Sequence, residues 1–226
     1  MNHLTPSVST KRVLTTLALA ITVGSSLTAC FPLAVPMMMG GAMVGGGLVA
    51  TDRRTSGTQL EDEGIELRAA SRIRDNLGDR VHVNVTSYNR RVLLSGEVPS
   101  AQDQQLVEQV VSGVENVQAV VNELAVLGNA TLGQRSSDTL VTGKVKAGLV
   151  DAKDLYANAF KVVTERGTTY LLGRVTQREA DRATDITRAV SGVQKVVRVF
   201  EIISEDELRN LLPQPAPDDA KAKPAQ

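Results

Sequence analysis

The chain has 226 residues, 25 basic and 25 acidic side chains, and an aromatic content of 3% without a tryptophan. This balance argues against a general nucleic-acid binder, which would be distinctly basic, so we expect no nucleic-acid partner. The single cysteine excludes an internal disulfide framework. The low aromatic content predicts a core built from Val, Leu, Ile and Ala.

The N-terminus has the organisation of a secretory signal. Lys11 and Arg12 precede an uncharged apolar run over residues 13–27, and Leu27-Thr28-Ala29 stands directly before Cys30. The pattern resembles a bacterial lipoprotein signal with the lipobox Leu-x-Ala-Cys. The resemblance implies a signal peptide over residues 1–29 and a mature chain that starts at Cys30, acylated with diacylglyceryl and palmitate. An ordinary cleavage site beside a lone thiol, or an uncleaved membrane helix, remains the alternative.

The segment after the cysteine, residues 30–57, is predicted to be a lipidated N-terminus and tether. Phe31 occupies the place where an inner-membrane retention signal usually has Asp, so the resemblance implies the outer membrane, facing the periplasm. Glycine and methionine dominate residues 31–49, which is typical of a loose spacer. The alternative is that the methionines, Met37 to Met39 and Met43, lie in the membrane interface.

Two copies of one unit follow the tether. Residues 92–98 (VLLSGEV) correspond to residues 170–175 (YLLGRV) with the glycine and valine in step. Ser112-Gly113-Val114 likewise corresponds to Ser191-Gly192-Val193. Such internal similarity predicts repeated structural modules.

The first copy alternates between helical and strand periodicity. Apolar residues spaced by four predict a helix, and apolar residues spaced by two predict a half-buried strand. In chain order we predict a helix carrying Ile65, Ala69 and Ile73, a strand with Val81, Val83 and Val85, a turn at Asn89-Arg90, a strand over 91–98, a helix capped by Ser100, and a strand over 117–126.

The second copy repeats this order. Thr176 and Glu179 have the spacing of a capping box, in which two orphan amides at a helix start are satisfied reciprocally. The predicted segments are a helix over 138–150, a strand over 159–165, a turn at Arg166-Gly167, a strand over 168–175, a helix after Thr176, and a strand over 196–204.

Together the copies predict an α+β protein with modules over residues 58–127 and 136–204. Each module is αββαβ, with two helices packed on one face of a small mixed three-stranded sheet. Residues 205–226 are predicted to form a short helix, carrying Leu208, Leu211 and Leu212, and a disordered proline-rich tail.

The modules resemble BON modules in the glycine after Leu-Leu, the helix behind it and the Ser-Gly-Val before the last strand. Two of them behind a lipobox resemble the dual-BON outer-membrane lipoproteins, the division and outer-membrane stress-associated lipid-binding family. Residues 50–59 (ATDRRTSGTQ), 84–86 (NVT) and 175–180 (VTQREA) fit the family pattern best. The resemblance implies a role in envelope integrity, division-site localisation and binding of anionic phospholipid, such as phosphatidylglycerol or cardiolipin.

Groups for catalysis are scarce in the mature chain, and we predict no enzyme, no metal site and no cofactor. Only His82 remains after processing, and its outward strand position predicts a solvated side chain. Neither a nucleophile elbow nor a phosphate-binding loop is present.

Charge points to the second module as the one suited to an anionic surface. Residues 59–126 hold six basic and eleven acidic side chains, whereas residues 137–204 hold eleven basic and eight acidic ones. In the first helix of the second module, Leu140, Lys144 and Ala147 form a ridge beside the core stripe. The resemblance implies that this helix contacts lipid. Further candidates for the phospholipid surface are Lys146, Lys153, Leu155 and Tyr156.

The same residues are also compatible with a function that needs no lipid contact. Leu140 could instead pack against the first module, leaving the lysines as ordinary solvated charges. The second hypothesis for the whole chain is a periplasmic adaptor that docks an envelope machine such as the outer-membrane protein assembly complex. A third is a structural stress protein without a specific ligand.

Overall fold

The computed structural model describes residues 52–211, and these form two modules with the predicted order of helices and strands. The predicted signal peptide, the lipidation at Cys30, most of the tether and the tail from Leu212 lie outside the described residues. The α+β class with two tandem modules is confirmed.

Each module contributes two helices and a small sheet. The first consists of α1 (Ser56–Leu77), β1 (His82–Tyr88), β2 (Arg91–Val98), α2 (Ala101–Ser112), β3 (Ala119–Asn122) and β4 (Ala125–Val126). The second consists of α3 (Leu132–Asp151), β5 (Phe160–Glu165), β6 (Thr168–Val175), α4 (Gln177–Arg188) and β7 (Lys195–Ile202), and α5 (Glu205–Leu211) follows it.

Both sheets are mixed, with the second strand of the module at the centre. β2 pairs antiparallel with β1 and parallel with β3, and β6 pairs in the same way with β5 and β7. The predicted continuous strand over 117–126 is wrong, because it is interrupted between β3 and β4. Leu124 turns into the first core there, and its amide donates to the Asn122 side chain.

The first helix of the second module begins earlier than predicted. It starts at Leu132 instead of Asp138, because Thr131 and Gln134 form a capping box at its N-terminus. The apolar pattern did not indicate this turn, since Leu132 is 81% exposed and contributes nothing to the core.

Apolar side chains of the helices cover one face of each sheet, as the spacing predicted. Ile65 and Ala69 of α1 are fully buried, and so is Val145 of α3. Burial of each large aliphatic side chain contributes about 1.5–3 kcal/mol.

The glycine shared by the two central strands has a steric cause. A Cβ at Gly96 would lie 2.2 Å from the carbonyl oxygen of His82, and a Cβ at Gly173 would lie 2.5 Å from that of Ala159. The neighbouring strand therefore approaches too closely for any side chain at this point of either module.

The sheet faces that the helices leave uncovered pack against each other. A cluster of side chains from both modules fills this interface, namely Tyr88, Leu93, Tyr170, Leu172 and Val199. Each sheet is thus covered on one face by its own helices and on the other by the partner module.

Candidate membrane-binding surface on the second module

Helix α3 separates a buried stripe from an exposed face. Val141, Val145 and Leu149 lie in the second core, while Leu140 on the opposite side is 67% exposed. Lys144 and Ala147 are also exposed and continue the face along the helix. The alternative in which Leu140 packs against the first module is therefore wrong.

The lysines of this helix are not used in ion pairs. Most cations of the second module are paired, for example Lys161 with Glu66 at 2.6 Å and Arg182 with Asp154 at 3.0 Å. Within the described part of residues 136–204, the basic side chains that form no ion pair are Lys144, Lys146, Lys153 and Lys195. Three of these four lie on α3 or directly after it.

One further apolar residue of α3 lies on this surface although the sequence pattern did not predict it. Val150 is 69% exposed and lies one turn after Lys146. The signal is present in the sequence, because Val150 falls outside the core stripe of Val141, Val145 and Leu149. The predicted helix ended at Val150, and at a helix end the apolar period does not indicate where a side chain points.

The loop after α3 fits the predicted surface only in part. Leu155 is 8% exposed and belongs to the second core, so the prediction that it contacts phospholipid is wrong. Lys153 is exposed and Tyr156 is 46% exposed, so both remain available to a ligand. The direction of Leu155 could not be inferred, because a leucine in a loop gives no periodicity.

The prediction of a solvated His82 is also wrong. Its Nδ1 lies 2.9 Å from Oε2 of Glu97, which is fully buried, and Arg166 of the second module lies 3.4 Å from the other carboxylate oxygen. Burial disfavours the charged carboxylate, but hydrogen bonds from His82, the Ala130 amide and Arg166 outweigh it and lower the pKa of Glu97. Glu97 of the first module thus forms an ion pair with Arg166 of the second module across the interface.

A second buried ion pair joins the segment before α1 to the second module. Arg53 donates to both carboxylate oxygens of Glu179 at 2.7 and 2.8 Å and to the Arg174 carbonyl at 2.7 Å. Burial opposes ionisation of Glu179, yet the bonds from Arg53 and from the Thr176 amide leave its pKa lowered. The sequence predicted the capping role of Glu179 but gave no sign of its partner.

Within residues 52–211 no group of three or more His, Cys, Asp or Glu side chains is arranged to hold a metal ion. In the same part of the chain no helix has both the length and the apolar character needed to cross a membrane.

The repeated αββαβ fold, with its two crowded glycines and its lysine-bearing outer helix, defines a tandem BON protein. The BON domain model matches residues 62–128 and 137–204, and the chain belongs to the BON-domain family.

The chain is also similar to individual proteins of known name. The chain is 39% identical over 168 residues to the outer membrane lipoprotein DolP of Haemophilus influenzae, a match that spans 72% of this chain and 87% of that protein. It is 32% identical to the 21 kDa hemolysin of Actinobacillus pleuropneumoniae, over 67% of this chain and 79% of the relative. It is 31% identical to the osmotically-inducible protein Y of Escherichia coli, over 62% of this chain and 72% of the relative.

Proposed function

We propose that the protein is a non-catalytic outer-membrane lipoprotein, anchored through acylated Cys30 and facing the periplasm, whose second module binds anionic phospholipid through α3. The similarity to an outer membrane lipoprotein supports the anchor and the destination. The observation that carries the lipid contact is the exposed face of α3, where Leu140 and Val150 flank Lys144 and Lys146, which form no ion pair with any described residue.

The chemistry of this face suits a membrane interface. Leu140 and Val150 can enter the headgroup region, and full burial of such a side chain is worth about 1.5–3 kcal/mol. Each lysine near an anionic surface adds about 1 kcal/mol, which the exposed carboxylate of Asp151 partly offsets. Phosphatidylglycerol and cardiolipin supply the negative charge.

The resulting affinity is modest, so α3 is suited to selecting a membrane region and not to holding the protein there. Two or more acyl chains already give firm attachment. A weak contact that prefers anionic lipid concentrates an anchored protein where such lipid is abundant. This preference is the physical basis for the proposed division-site localisation and envelope support.

Binding of the soluble two-module chain, residues 52–211, to vesicles tests the proposal. We expect co-sedimentation with phosphatidylglycerol or cardiolipin vesicles but not with phosphatidylcholine vesicles, and weaker binding as salt screens the lysines. The double variant Leu140→Asp with Lys144→Glu should reduce binding at least tenfold.

A matched variant on the first module controls for the charge change. Leu67→Asp with Arg74→Glu alters the charge of α1 by the same amount at an exposed leucine and should leave binding unchanged. Equal losses in both variants, or binding without preference for anionic lipid, would contradict the proposal.

The adaptor function is the second candidate, and the first module supplies the observation that favours it. Leu60 and Leu67 of α1 are 71% and 73% exposed and lie two turns apart on one side of the helix. Crosslinking in cells from position 67 to a component of the outer-membrane protein assembly complex, unaffected by the α3 variant, would support the adaptor.

A further inference from the structure

Two adjoining cavities form a groove between α3 and the edge strand β5. A cavity of about 390 Å³ is lined by Thr139, Thr142, Val162 and Thr164, and its far wall carries His82 and Asn84 of β1. A cavity of about 240 Å³ is lined by Lys146, Val150, Phe160 and, again, Val162. From Thr139 to Val150 the helix rises about 16 Å, which matches about five residues of extended chain.

Backbone groups of β5 point into this groove. Arg166 and Gly167 form a two-residue turn with positive φ, so the flanking pair, Glu165 and Thr168, is hydrogen bonded. Bonded pairs alternate along an antiparallel ladder, which turns the amides and carbonyls of Val162 and Thr164 away from β6. Between Asp52 and Leu211 no other backbone group pairs with them.

The first module shows how the same edge is closed in the other copy. Ser87 stands where Thr164 stands in the second module, its amide donates to Glu66 at 2.7 Å, and its carbonyl accepts from Lys161 at 3.2 Å. Thr142 takes the place of Glu66 in α3. The second module thus leaves open an edge that the first module closes with side chains.

Asp52, the first described residue, lies at the mouth of this groove. Asp52 lines a cavity together with Asn158 and Phe160, and the latter two also line the groove. Residues 42–51 (AMVGGGLVAT) carry no charge and hold four large apolar side chains. Followed backwards from Asp52, an extended segment would pass Phe160 first and Thr164 last, which is antiparallel to β5.

We propose that residues 44–50 of the tether dock as an antiparallel strand on β5, in the groove beside α3. The strand bonds the outward backbone groups of Val162 and Thr164, and Leu48 and Val49 supply apolar contacts to the groove. Docking would leave residues 31–43 as the free part of the tether after Cys30. Lys146 and Val150 line the groove and also belong to the proposed lipid surface, but the docking rests on the backbone groups of β5 and not on the phospholipid contact.

Amide hydrogen exchange measured by NMR tests the docking in the unlipidated mature chain, residues 30–226 with Cys30→Ala. We expect the Val162 and Thr164 amides to exchange at least tenfold more slowly than in residues 52–226. Val49→Asp should abolish the difference, whereas Met38→Asp, outside the docked segment, should preserve it. Equal exchange in the long and short chains overturns the proposal.

A crosslink provides a second measurement that does not depend on the short chain. In the Cys30→Ala background, Val49→Cys should form a disulfide rapidly with Thr142→Cys in the groove and not with Ser112→Cys on the first module. Formation with both at one rate, or with neither, contradicts docking. Because none of these variants tests vesicle binding, the lipid proposal and the docking proposal fail separately.

Discussion

Arg53 and Glu179 form the most deeply buried ion pair described in the protein, with 2% of each side chain exposed. A planar guanidinium with two parallel bonds suits a buried carboxylate better than a lysine would. Glu179 also closes the capping box of α4, so the same carboxylate stabilises a helix start and fixes the segment before α1.

Arg53→Met should lower the free energy of unfolding by about 3 kcal/mol at pH 7, because it leaves a buried carboxylate without its partner. The pKa of Glu179 is lowered in the folded state. Stability from this pair is therefore present above the unfolded pKa of about 4.3 and is lost as the pH falls through the folded pKa. Urea unfolding at pH 7 and pH 3 should show a gap between wild type and variant that narrows in acid.

Arg209→Met serves as the control, because Arg209 and its partner Asp206 are 72% and 80% exposed. Exposed pairs contribute little, so no measurable change is expected. A comparable loss in the two variants, or a gap that is independent of pH, would show that the Arg53 pair is not the stabilising element.

In both modules an aspartate of the first helix binds the turn of the hairpin. The residues are present in the sequence, but no pattern indicated this contact. In the first module Asp62 accepts from the amides of Asn89 and Arg90, both at 2.8 Å. In the second module Asp138 accepts from the amides of Arg166 and Gly167 at 2.8 and 3.0 Å. In each case an aspartate inside the first helix holds the turn of the hairpin.

The two aspartates differ in how many groups they bind, and this predicts unequal effects. Asp62 also accepts from the Ser87 hydroxyl at 2.6 Å and from Arg54 at 2.9 Å. Asp62→Ala should therefore cost about 3 kcal/mol, and Asp138→Ala about half of that. Thermal and urea unfolding measure the difference, and a larger loss at Asp138 would contradict the comparison.

The spacing of apolar residues was enough to predict the order of helices and strands. Contacts between segments that are distant in the chain produce no such spacing and were not predicted. The spacing of Val141, Val145 and Leu149 predicted the core stripe of α3, and by exclusion the outward position of Leu140. The extra turn at Thr131 was missed because only the apolar period was used to place the helix start, although Thr131 and Gln134 have the spacing of a capping box. The pairing of His82 with Glu97 follows from the hairpin register that the turn at Asn89-Arg90 sets, and it was overlooked. The contact of Arg166 with Glu97 joins segments far apart in the chain, which one sequence does not relate.

At the scale of the whole molecule, the uneven charge of the modules has two uses. Part of the positive excess of the second module meets the acidic first module, through Lys161 with Glu66 and Arg166 with Glu97. The lysines on and after α3, namely Lys144, Lys146 and Lys153, are exposed and form no ion pair within residues 52–211. The sequence showed that the second module has a net positive charge. Only the fold showed which of its basic side chains lie in the interface between the modules and which lie on the outer surface.

The interface also determines how function should be measured. Separated modules would expose the shared cluster around Leu93, Tyr170 and Leu172, an apolar surface that could bind vesicles nonspecifically. Lipid binding is therefore informative only in the intact pair of modules.

Because the chain has no tryptophan, Leu140→Trp in residues 52–211 places a single reporter at the centre of the proposed lipid surface. We predict a blue shift of its fluorescence, and quenching by brominated acyl chains, with phosphatidylglycerol vesicles and not with phosphatidylcholine vesicles. Leu67→Trp on α1, equally exposed, should show neither change. No shift at position 140, or the same shift at both positions, would contradict phospholipid recognition by α3.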